Sequence, residues 1–269
     1  MDFFVSNGVA SPESVRMTIR TEAIVTQVAG PYAASARTLP NYATPERLSD
    51  NSYQVRISDP AIWSPIHPVY YRLQHGGGSR KIGVRKIEAC NQSVFLNGRR
   101  TVLRASCGAV PNPETAQQWV DERLSLVISQ ASVSERILTL ATDFGIPVIV
   151  EADQANANEL ADISSWPCVT AIVFSDSLEQ TENISKNPLR LWRCSEPELN
   201  VPSWAHGIVV SSELLLTLSQ PSGGWPLMFV ESTADLDQLS VSEQRRMCER
   251  LQSTHAPQVD LAGYIIRSS

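Results

Sequence analysis

The chain changes its hydrophobic rhythm once. Up to residue 88, apolar residues alternate singly with polar ones: Val15, Met17 and Ile19, then Tyr53, Val55 and Ile57 around Gln54 and Arg56, then Val69, Tyr71 and Leu73. Alternation with period two puts every second side chain on one face of a strand, so each stretch reads as a strand buried on one side. Turn-forming pairs such as Gly30-Pro31 and Asp59-Pro60 lie between them. The pattern predicts an antiparallel β-sandwich. Gly76-Gly77-Gly78 follows the third strand. Three glycines could cradle a phosphate, but neither a Lys-Ser/Thr pair nor a helix start follows, and a hairpin turn is expected.

From residue 94 onward, apolar runs alternate with helical stretches. The runs are Thr101 to Ser106, Leu124 to Ser129, Gly145 to Ala152, Val169 to Ser175, Leu189 to Cys194, Gly207 to Ser212, Pro226 to Glu231 and Leu261 to Ile266. Strands separated by helices pair in parallel through crossovers, and eight such units predict a closed TIM-type (β/α)8 barrel. Helix signals fall between the runs. Asn112-Pro113 offers an N-cap and a first-turn proline, Ser132-Val133-Ser134-Glu135 reads as a capping box with Gly145 near the helix end, and Ser240-Val241-Ser242-Glu243 repeats the box. Met247 and Leu251, four residues apart, share one face of the helix that follows. This stretch, about 170 residues, is shorter than the ~200 usual for the fold. Leu178 to Pro188 and Pro197 to His206, rich in Asn, Ser and Pro, are the expected non-helical connections. The organisation read from the pattern is a loose lead-in over 1–14, a sandwich over 15–88 and a compact barrel over 89–269.

Charge narrows the partners. A net charge of −6 without a block of Lys or Arg argues against nucleic acid and anionic membrane, and favours neutral ligands. No run approaches the ~18 apolar residues of a membrane span, and Met1 to Asn7 has no basic segment leading into an apolar one. A soluble, cytoplasmic protein is expected. Five scattered cysteines with no C-x-x-C pair read as reduced core residues, and four isolated histidines offer no metal-binding cluster. Neither a metal nor another cofactor is expected.

Two carboxylates carry the candidate chemistry. Glu231 ends the run Pro226 to Glu231, and Glu179 follows the run that ends at Phe174. Barrel enzymes keep their reactive groups at the C-terminal ends of strands, and a pair of acids there suggests glycoside chemistry. A single glutamate in a loop is more commonly a solvated or helix-capping residue.

Three segments then resemble a known family. Asp59-Pro60-Ala61-Ile62-Trp63-Ser64-Pro65-Ile66-His67-Pro68-Val69-Tyr70, Gly83-Val84-Arg85-Lys86-Ile87-Glu88 and Phe95-Leu96-Asn97-Gly98-Arg99-Arg100 resemble the join between sandwich and barrel in family 2 glycoside hydrolases, the β-galactosidase, β-glucuronidase and β-mannosidase group. Asp143 to Glu151 resembles that family's third barrel strand, and Trp166-Pro167-Cys168-Val169 the approach to its fourth. The resemblance implies an immunoglobulin-like sandwich, leaves no room for the family's N-terminal jelly-roll domain, and implies a neutral glycoside as partner. It also implies a retaining mechanism, with Glu179 as acid/base and Glu231 as nucleophile. The segment around Trp63 is expected to pack at the interdomain region.

The sequence departs from the family in what surrounds those acids. Leu178 replaces the Asn that precedes the acid/base, Val127 to Ser132 lacks the family's Arg and His-Tyr-Pro turn, Leu103 to Gly108 lacks its His, and Gly263 to Arg267 lacks its Trp. With those donors gone, Glu231 needs others, and Arg104 and Arg267 follow the neighbouring first and eighth strands. Asp176 is a further acid near Glu179. Trp192, Trp204 and Trp225 are candidates for stacking on a sugar, although isolated tryptophans are more often core. Two readings stay open: a retaining hydrolase for an unusual sugar, and a catalytically inactive descendant that binds carbohydrate or protein at the barrel mouth.

Overall fold

The computed structural model describes residues 4–7, 14–33, 40–108, 110–152, 157–175, 188–219 and 224–268. Eight strands come first: β1 (Phe4–Asn7), β2 (Ser14–Arg20), β3 (Val25–Tyr32), β4 (Asn41–Ala43), β5 (Glu46–Ser49), β6 (Ser52–Ser58), β7 (Tyr70–His75) and β8 (Gly78–Ile82). They form two four-stranded antiparallel sheets, ordered β1-β2-β6-β5 and β4-β3-β7-β8. The alternation explains the register. Val15, Met17 and Ile19 stand opposite Ile57, Val55 and Tyr53, and these six share one apolar cluster with Val28, Leu73 and Ile82 of the other sheet. Two residues of the glycine triplet, Gly76 and Gly77, turn the chain from β7 into β8. Within the expected lead-in, β1 pairs with β2.

A small antiparallel sheet follows, made of β9 (Ile87–Cys90), β10 (Ser93–Leu96) and β11 (Arg99–Thr101). Its Val94 packs with Leu103, Leu189, Leu227 and Ala262, which stand at or just before the starts of barrel strands. This sheet therefore covers the N-terminal end of the barrel.

The remainder is β12 (Leu103–Ser106), α1 (Ala116–Asp121), β13 (Ser125–Ser129), α2 (Glu135–Phe144), β14 (Val148–Ala152), α3 (Ala157–Ser164), β15 (Val169–Phe174), β16 (Leu189–Cys194), β17 (Gly207–Ser211), α4 (Ser212–Leu215), β18 (Met228–Ala234), α5 (Val241–His255) and β19 (Gly263–Ser268). The eight strands β12 to β19 pair in parallel and close into a barrel. Every strand falls on one of the eight apolar runs, because both of its faces are buried. Ala105, Val127, Ile149, Val173, Leu191, Val209, Phe229 and Ile265 fill the interior, while alternate residues such as Val150, Ile172, Val210 and Tyr264 pack in the shell beneath the helices. Gly263 admits the Phe229 ring, since a Cβ there would lie 2.5 Å from it.

The helix ends follow the sequence signals with two departures. Ser240 and Glu243 form the expected reciprocal capping box of α5. For α2 the cap is Ser134, two residues after the expected one, and its hydroxyl accepts from Ile137 N–H at 3.4 Å. Gly145 ends α2 in the left-handed conformation with φ 76°. Asn112 does not cap α1 directly; its side chain accepts from the Glu114 and Thr115 N–H groups, and Thr115 occupies the cap position. No helix forms between Ser195 and His206, and the other connection expected to be irregular lies mostly outside the described residues.

The sheets grip the barrel through a seam. Trp63 is fully buried in the shell cluster of the barrel, and its indole N–H donates to the Thr142 carbonyl at 3.2 Å. Arg80 pairs with Asp162, Lys81 pairs with Asp143, and the buried Arg85 guanidinium donates to the carbonyls of Trp166, Pro167 and Val169.

Candidate active site at the barrel mouth

The inward alternation of the barrel strands sets the site. One step beyond the apolar interior, Ala105, Ile149, Leu191, Phe229 and Ile265 are followed two residues later by Cys107, Glu151, Arg193, Glu231 and Arg267. The C-terminal mouth thus carries charge where the layers below carry hydrocarbon.

The four charged groups form one network. Arg193 Nη2 donates to Glu151 Oε1 and, at 3.3 Å, to Glu231 Oε2. Arg267 completes it, with Nε 3.2 Å from Glu151 Oε1 and Nη2 3.3 Å from Oε2. The side chains of Glu151 and Glu231 are only 9% and 12% exposed. Charges this far out of water need partners, and two guanidiniums against two carboxylates leave the network neutral. Burial works against the Arg193 cation, but Glu231 and Glu151 more than offset it and its pKa lies above the ordinary value. Burial pushes the neighbouring Cys107 thiol up to about 11, with Glu151 adding to the effect, so it stays protonated at neutral pH.

The two carboxylates are not equivalent. Both oxygens of Glu151 are occupied by guanidinium groups, whereas Glu231 has one long contact at Oε2 and, among the described residues, no donor at Oε1. A carboxylate oxygen to which no described residue donates has the lone pairs that a nucleophile on an anomeric carbon requires. Glu151, held by two cations, is suited to hold others in place.

Sequence-derived candidates fall in different places. Glu231 and Arg267 come together at the mouth, although Arg267 pairs with Glu151 and not with Glu231. Arg104 does not serve Glu231: it faces outward from β12 and donates to Gln252 of α5 at 2.6 Å. Its phase in the strand, one residue off the inward set, is the reason. Trp192 and Trp204 belong to the shell under the helices, Trp204 with its ring edge-on to Phe174 at 5.2 Å. Trp225 precedes β18, and its carbonyl accepts from Gln92 of the sheet at the opposite end of the barrel. Asp176 and Glu179 lie outside the described residues. Two members of the network, Glu151 and Arg193, were missed as site residues. Their signal was available: each is a charge in an apolar strand, in phase with the inward residues Ile149 and Leu191.

The sequence matches no protein-family model and no curated protein. Solved structures are similar to it across nearly the whole chain. A β-D-glucuronidase of Dictyoglomus thermophilum aligns with a TM-score of 0.63 at 12% identity, covering 98% of this chain and 61% of that one. A β-glucuronidase of an uncultured Clostridium sp. aligns at 0.65 and 13%, covering 99% and 61%. A Bifidobacterium dentium β-glucuronidase complexed with coumarin-3-O-glucuronide aligns at 0.61 and 11%, covering 98% and 59%. This chain therefore spans about three-fifths of the length of each. At such identities the likeness is one of fold, and it takes in the antiparallel sheets and the barrel alike.

Proposed function

We propose that the chain is a glycoside hydrolase-like protein whose barrel mouth receives a neutral glycoside, with its two N-terminal sheets acting as the family's immunoglobulin-like sandwich. One observation carries this: Glu231 lies midway along the seventh barrel strand, where the apolar run of that strand stops, in phase with the inward Phe229, with Oε2 held by Arg193 and no donor at Oε1 among the described residues. The donors that the family's nucleophile would have found on other strands are replaced by Arg193 on the fifth. In the forward reaction Glu231 attacks the anomeric carbon while Glu179 protonates the departing oxygen. Glu179 then takes a proton from water, which releases the sugar from Glu231 with its configuration retained.

The test is hydrolysis of a panel of aryl β-glycosides, followed by proton NMR from the first minutes. The β-anomer should appear first, and Glu179→Ala should slow substrates with poor leaving groups far more than dinitrophenyl ones. First appearance of the α-anomer contradicts the mechanism. A second reading, a sugar-binding barrel without turnover, is favoured by the Arg193 bridge across the mouth and by the lost sugar contacts at Leu178 and Ser129 to Ser132. It predicts saturable binding of a glycoside to a protein that never cleaves it.

A further inference from the structure

We infer that Glu151 is a positioning residue that keeps Arg193 from locking onto Glu231. The inference rests on Glu231 being the nucleophile.

A guanidinium beside a carboxylate prefers the two-pronged fork, in which two parallel N–H groups take both oxygens. Arg193 does not make that fork with Glu231. It reaches Glu231 by one nitrogen at 3.3 Å, at Oε2 alone, while the same nitrogen is drawn more closely to Glu151. Glu151 is itself fixed by Arg267 through contacts of 3.2 and 3.3 Å, so it cannot follow Arg193 toward Glu231. All three side chains leave rigid strands at the same inward step. The result is a tug between two carboxylates for one cation. It sets a positive charge beside Glu231, whose side chain is 12% exposed, yet leaves Oε1 without a donor among the described residues.

Replacing Glu151 by Gln removes the competing charge without removing the shape. Arg193 should then swing into the fork with Glu231, and Arg267, freed from its partner, adds a second cation nearby. Both changes hold lone pairs that the reaction needs, so bond formation slows while sugar binding does not.

The measurement is inactivation of the full chain by 2,4-dinitrophenyl 2-deoxy-2-fluoro-β-glycosides, using the sugar that labels the wild type fastest. These reagents expel their leaving group without a proton donor, and so report on Glu231 independently of Glu179. Glu151→Gln should lower the inactivation rate constant roughly 100-fold and leave the half-saturating concentration unchanged. Adding Arg193→Lys, whose single ammonium cannot fork, should recover much of that loss, which repair of a merely structural defect would not do. Should Glu151→Gln fail to fold, Glu151→Asp, with its shorter reach to Arg193, takes its place: slowed labelling relieved by Arg193→Lys supports the inference. Labelling of either Glu151 variant at the wild-type rate overturns the inference alone. A wild type that no sugar labels overturns the hydrolase reading, and the inference with it.

Discussion

Two regions of this molecule bury guanidinium groups, and they use them in opposite ways. At the seam, Arg85 reaches the carbonyls of Trp166, Pro167 and Val169, while Arg80 and Lys81 close on Asp162 and Asp143. Those contacts tie the sheets to the loops and helices of the barrel, and burial pulls the Arg85 pKa down to about 10 without discharging it at neutral pH. At the mouth, Arg193 is shared between two carboxylates, and one of them keeps an oxygen without a donor among the described residues. At the seam, cations are bound by carbonyls and carboxylates of the barrel's loops and helices; at the mouth, one cation is divided between two carboxylates, an arrangement that can perturb a functional group.

The largest effect belongs to the seam. Arg85→Ala takes a charged donor from three carbonyls, of which Trp166 keeps the Val169 N–H, and should destabilise by roughly 3–5 kcal/mol, as should Trp63→Ala, which empties a fully buried indole site, by about 3–5 kcal/mol. Denaturant midpoints check both, and an unchanged midpoint for Arg85→Ala would remove the structural half of the contrast. Arg193→Met at the mouth should cost less, about 1–3 kcal/mol, because Glu151 keeps Arg267 as its partner and Glu231 loses one contact of 3.3 Å.

Mild acid should act first through histidines, and His206 and His255 lie away from both regions. His206 accepts the Arg190 backbone N–H at Nδ1, 3.0 Å away, and its pKa is lowered by burial and then by the Arg190 charge. Burial lowers that of His255 as well, with Glu213 opposing. A lowered folded-state pKa means that the unfolded chain binds protons first as the pH falls through about 6.5. The stability contributed by these neutral imidazoles is therefore present above that pH and is lost as pH falls toward the folded-state values. Thermal midpoints should drop between pH 7.5 and 5.5, and His206→Gln should flatten the slope where Arg193→Met does not.

The smallest effect is chemical. Cys107 at the mouth and Cys168 beside the seam are both pushed up to about 11 by burial, whereas Cys90 is exposed. Iodoacetamide at pH 8 should modify Cys90 first. Early labelling of Cys107 would show a mouth more open and more cationic than the Arg193 network implies.

The barrel was legible in the sequence because its strands are buried on both faces, which writes each as an unbroken apolar run. Glu231 was legible for the same reason, standing where such a run stops. The two N-terminal antiparallel sheets were half legible. β2 and β6 alternate cleanly and β7 does so from Tyr71 to Leu73, while β4 and β5 are short edge strands with exposed residues and no periodic signal to read. The mouth network was the least legible part, for a physical reason. Glu151, Arg193 and Arg267 lie on three strands whose inward phase is fixed only when the barrel closes. A one-residue error of phase sends a side chain to the helices, as Arg104 and Trp192 show. The inward phase of β14 and β16 can be counted from Ile149 and Leu191, but only once those two are known to face inward.

The most direct measurement is peptide mass spectrometry after exposure to a panel of 2-deoxy-2-fluoro glycosides with dinitrophenolate leaving groups. A retaining nucleophile at Glu231 predicts one fluoroglycosyl adduct on the peptide that contains Glu231, and no adduct in a folded Glu231→Gln protein. An adduct on the Glu151 peptide, or no adduct with any sugar that binds, would contradict it.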